Sequence, residues 1–161
     1  MTHRAFLYVA IAATVAVAPP LVAQDSSFAA MQRRGKMAMG VDQYTSIHKF
    51  DDLADGGRIE LQRDRDDSVG VHAIRAHLRG IAKAFQTGDF STPAFVHMQS
   101  VPGTAEMSKR RAVLRYSVKE LPRGGELRIT TSDSGAVKAV HEFLAFQRGE
   151  HHAEGHAMHR P

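Results

Sequence analysis

The 161 residues carry 21 Lys and Arg against 17 Asp and Glu, a net charge of +4 at pH 7, with ten histidines and no cysteine. So small an excess of positive charge gives no case for a nucleic acid partner, and the length suits one domain with a sizeable core better than two. The missing thiol excludes disulfides, a lipobox anchor, covalent haem, cupredoxin-type copper, thiolate zinc and an all-cysteine iron–sulfur cluster, so any site must use His, carboxylate, Met, Tyr or backbone groups.

Residues 1–23 predict a secretory signal peptide. Arg4 supplies the positive start, Ala5–Ala18 the apolar run, Pro19-Pro20 the break and Ala23 the small residue before cleavage. The run is too short for a bilayer span and no second apolar segment follows, so the expected location is the periplasm or the medium, without a stable membrane anchor. Residues 24–43 read as a flexible leader, rich in methionine and alanine, with a basic Arg33-Arg34-Gly35-Lys36 patch; a short helix or disorder fits it equally.

Tyr44–Phe50 predicts a strand with Ser46, His48 and Phe50 on one face. A turn through Gly56-Gly57 leads to a second strand, Arg58–Arg63. Val69–Gln86 predicts a helix, with Ile74, Leu78, Ile81 and Phe85 at helical spacing and His72, Arg75, Arg79 and Lys83 opposite. Ala94–Gln99 reads as extended and Val101–Ser108 as a loop. Lys109–Lys119 alternates, placing Leu114, Tyr116 and Val118 inward, and the Leu-Pro-Arg-Gly-Gly stretch turns the chain into a strand over Leu127–Thr131. Ser132–Arg148 predicts the second helix, with Ser132, Asp133 and Ser134 as candidate caps and Val137, Val140, His141 and Leu144 along one stripe. The expected fold is α+β, one domain over residues 44–149: an antiparallel sheet with two helices packed on one face, followed by a His-rich tail over residues 150–161.

The candidate chemistry lies in the histidines. His77 borders the apolar stripe of the first helix, and His141 sits inside that of the second. His48 and His97 fall on expected extended segments, Met107 follows a Pro-Gly loop, and His151 prolongs the His141 stripe if the helix continues. Taken singly, each is as well explained by a hydrogen-bonded core or surface role. Taken together, His48, His77, His97, Met107, His141 and His151 are the candidate metal ligands. Imidazole and thioether favour copper, with zinc second. Such a site must be assembled by the fold, because no local metal motif such as HExxH is present. The tail adds loosely binding histidines at 152, 156 and 159. No nucleophile elbow, phosphate cradle or calcium loop appears.

His48-Lys49-Phe50, Ile74-Arg75-Ala76-His77-Leu78, Gly88-Asp89-Phe90 and the stretch from His141 to Gln147 resemble an uncharacterised family of small exported bacterial proteins. The resemblance spans the mature chain and implies its domain extent and a bacterial origin; it implies no mechanism. The leading expectation is an exported copper-binding protein for sequestration, delivery or sensing, with a metal ion as its partner and a homodimer open to it. The alternatives are an interaction module using the basic helix face and a small hydrolase or lyase using His141 as base.

Overall fold

The computed structural model describes residues 21–153, so most of the expected signal peptide and the tail from Glu154 onward lie outside the described residues. Four strands, β1 (Ser46–Leu53), β2 (Gly56–Arg63), β3 (Arg115–Leu121) and β4 (Gly124–Thr130), form one antiparallel sheet in the order β1-β2-β4-β3. Five α-helices accompany it: α1 (Leu21–Met39), α2 (Ser68–Gln86), α3 (Ser91–His97), α4 (Thr104–Lys109) and α5 (Ser134–Glu150). The class is α+β.

Pairing of Phe50 with Ile59, of Ile59 with Leu127 and of Gly57 with Ile129 puts these side chains on one sheet face, and all four apolar ones are buried. Two glycines on that face let helices come close. A β-carbon on Gly57 would stand 2.2 Å from Leu144 and 3.1 Å from Val140, both on α5. One on Gly125 would stand 2.8 Å from Leu78 of α2. Thus α5 lies over β1 and β2, and α2 lies over β4, β3 and β2. The opposite face is polar, with Arg58 bonded to Asp51 and 3.7 Å from Glu126.

Both long helices start at a side-chain cap. Asp67 accepts the Gly70 amide at 3.0 Å and Asp133, one of the three expected candidates, accepts that of Ala136 at 2.8 Å. Arg148 fastens the far end of α5, donating to the Phe50 carbonyl at 2.7 Å and to both oxygens of buried Asp52 at 2.9 and 3.1 Å. Arg75 ties α2 to the β3–β4 hairpin through the Gly124 and Leu121 carbonyls and Glu120.

Four expectations change. The strand expected over Lys109–Lys119 begins only at Arg115, because Lys109 ends α4 and residues 110–113 form a turn. The leader is helical: α1 packs on α3 and α2, with Met31, Gln32 and Met39 buried. Its inward stripe contains Gly35 and Ala38, too small to register as apolar periodicity. The segment expected to be extended is α3, where Pro93 occupies the first turn and so removes an amide that has no helical partner. The loop after it holds α4, which packs against α5 and carries fully buried Met107. Helices of seven and six residues are too short to show a period.

Arg148→Met leaves Asp52 buried without its counter-charge. The expected loss is about 3 kcal/mol in urea unfolding, partly recovered when Asp52→Asn is added.

Candidate functional site

A cavity of about 90 Å³ lies between α2 and α5. Its floor is the sheet (Phe50, Ile59, Leu61), its walls are Ile81 and Phe85 of α2 and Phe143 of α5, and α1 and α3 roof it. Four imidazoles reach it from four elements: His48 from β1, His77 from α2, His97 from the end of α3 and His151 from the cap of α5. The centroid of the His151 ring lies 5.8 Å from that of His48 and 5.1 Å from that of His97. Met39 and Gln147 also line the space.

The hydrogen bonds assign the ring protons. Ser46 gives its only hydroxyl hydrogen to the Asp42 carbonyl at 2.7 Å, so at 3.0 Å it accepts from His48 Nε2. Gln43 Oε1 accepts from Gln32 Nε2 and from His151 Nδ1, both at 2.7 Å. His97 Nε2 donates to Gln147 Oε1 at 3.2 Å, and His77 donates to the Ala38 carbonyl. Each ring therefore has one N–H held by a protein acceptor. The other nitrogen carries a lone pair with no protein donor among the described residues. At His97 this nitrogen is Nδ1, which is buried and lies 3.8 Å from Glu150 Oε2, itself an acceptor. The Gln147 Nε2 donor is likewise buried without a partner.

These rings are held neutral. Burial, and then His77, pushes the His48 pKa down to about 4. Burial, followed by His48, His97 and His152, pushes that of His151 down to about 3. His77 and His97 are lowered chiefly by burial as well. The Ala38 carbonyl opposes the shift at His77; Gln147 and Glu150 oppose it at His97, where Arg34 adds to it.

Two of the six expected ligands stand elsewhere. Met107 is enclosed in the core beneath α5. His141 does not lie on the buried face of α5, which is formed by Ala136, Ala139, Val140, Phe143, Leu144 and Gln147. Its Nε2 lies 2.9 Å from the Leu53 carbonyl and 3.0 Å from that of Gly56, so it braces the β1–β2 hairpin. The remaining four, His48, His77, His97 and His151, share the cavity. Met39 and Gln147 were missed by sequence reasoning. Gln147 lies six residues beyond His141 on the helix that was expected to carry the site, and Met39 sat in the supposed leader. Among the described residues no three His, Asp or Glu side chains form a group that could hold a metal ion as they stand, and none of the helices is long and apolar enough to cross a membrane.

Comparison with protein-family models, curated proteins and solved structures finds no match to this chain.

The lowered pKa values give a stability slope of defined sign. Below about pH 6.5 the unfolded chain takes up protons that buried His48 and His151 refuse until about pH 4 and about pH 3. Stability is therefore full above pH 6.5 and falls as the pH drops towards those folded values, by about 1.4 kcal/mol per pH unit for each proton bound only by the unfolded chain. Urea midpoints measured across this range should show the fall, and His48→Gln should flatten it.

Proposed function

We propose that the protein is an exported metal-binding protein that takes copper, with zinc second, at the histidine cavity. The observation that carries this reading is the state of the four imidazoles. Each is neutral and oriented through one N–H, and each keeps a lone pair that no donor among the described residues engages. Histidine ligands are typically oriented in this way by a hydrogen bond from the second ring nitrogen. His48, His97 and His151 are the proposed ligands, with His77 and the Met39 thioether beside them. The thioether favours Cu(I). Binding needs the rings to close in from their present positions. A bound cation would also relieve the two facing acceptors, His97 Nδ1 and Glu150 Oε2, and the cavity's apolar walls would keep competing water away.

The other readings have less to draw on. Arg75 is engaged by the hairpin carbonyls and, with Arg79, by Glu120, so much of the basic helix face serves the fold. His141, the candidate base, is engaged by two carbonyls. Sequestration or delivery in the periplasm or the medium fits a site whose metal would sit in an apolar enclosure.

The test is copper titration of the chain from Gln24 with Gly155–Pro161 deleted. One tightly held ion per chain is expected. His97→Phe should weaken binding at least tenfold; it also leaves buried Gln147 Oε1 without its donor, at a cost of about 1–3 kcal/mol, so the variant is shown to be folded by circular dichroism at the titration temperature. Binding that disappears with the tail, or that ignores His97→Phe, would overturn the proposal.

A further inference from the structure

Two surface depressions border this cavity. A groove in the seam between α1, α2 and α3 shares Ala38, His77, Ile81 and Thr92 with it. A polar depression beside α5 shares His97 alone, and that side chain is 1% exposed, set between Arg34 and Glu150. The seam shares more of the cavity's lining.

Two glycines there have no packing reason to be glycine. Gly80 lies inside α2 and lines the groove; Gly35 lies inside α1 and lines the cavity. A β-carbon added to either would meet nothing within 4 Å, and neither has a positive φ. Glycine inside a helix is nonetheless unfavourable relative to alanine. Close approach of helices does not explain them, as it does Gly57 and Gly125. What they leave is unfilled space, Gly80 in the groove and Gly35 in the cavity. Exposed Met37 and Phe95 flank the groove, and His77 lines both spaces.

We infer that the seam between α1, α2 and α3 is the passage by which a small ligand reaches the histidine cavity, kept open by Gly80 and Gly35, with His77 at its threshold. The inference rests on the metal-binding reading for its first probe only. A passage of this kind admits a bare ion or a molecule of a few atoms and excludes a metal still wrapped in a bulky chelator.

The experiment compares the rate at which copper ions load the protein in stopped flow for the wild type, Gly80→Leu, the smaller Gly80→Ala, and Gly149→Leu. Gly149 is the control: it is also a helical glycine with nothing within 4 Å, but it borders the polar depression. Gly80→Leu is expected to slow loading at least tenfold at unchanged stoichiometry, with Gly80→Ala between it and the wild type, while Gly149→Leu loads at the wild-type rate. Slowing by Gly149→Leu in place of Gly80→Leu, or by neither, overturns the passage. If the wild type takes no copper, the metal reading fails, and xenon exchange measured by NMR on the same variants decides the passage, with the same ordering expected.

Discussion

In this molecule α2 and α5 do not seal the whole inner face of the four-stranded sheet, and the gap they leave is the feature on which the rest turns. Gly57 and Gly125 draw α5 and α2 onto the sheet at two points. Between them, over β1 and β2, the helices face each other across open space. Hydrophobic burial demands a cover for that gap, and the chain supplies one from α1 and α3. The stack of Phe85 on Phe90, with centroids 4.4 Å apart, and the edge contact of Phe85 with Phe143 at 5.9 Å fill one end of the interior. The other end is left to imidazoles.

That choice has a physical cost and a physical use. Apolar side chains at positions 48, 77, 97 and 151 would fill the space with no polar groups to satisfy. Imidazoles there require acceptors, and the fold provides them from four places: Ser46, Gln43, Gln147 and the Ala38 carbonyl. Gln43 has a double role. It accepts from Gln32 of α1 and His151 of α5, and its own amide reaches the His151 carbonyl. The roof helix and the end of α5 are thereby joined through one side chain placed against the cavity. A chain of two hydrogen bonds thus links His151 to α1.

Much of the fold was legible from residue pattern. The turn chemistry between β3 and β4 located that hairpin, although the alternation had placed its first strand over Lys109–Lys119 and the strand starts only at Arg115; the stripe Ile74, Leu78, Ile81, Phe85 located α2; the cluster Ser132, Asp133, Ser134 marked the start of α5, and Asp133 is the cap. These signals are local and strong. Legibility failed where elements are short or small. The stripe of α1 has Gly35 and Ala38 in place of large apolar residues, and α3 offers barely two turns. The misplacement of His141 has the same kind of cause. The sequence of α5 allows two neighbouring stripes, and tertiary contact with the hairpin carbonyls chose the one that turns His141 aside.

What the sequence by itself determined is the chemical vocabulary: no thiol, many imidazoles, and an antiparallel sheet with helices. These follow from composition and from periods of two and 3.6 residues, which act over short stretches of chain. Which histidines meet was decided only by tertiary structure. His48 and His151 are about a hundred positions apart, and they come together because Arg148 pins the end of α5 to Phe50 and Asp52, within four residues of His48. No local pattern encodes that contact; it arises from buried charge and hydrogen-bond geometry between distant elements. The same holds for the neutrality of the rings, since desolvation exists only once α1 and α3 close over the gap.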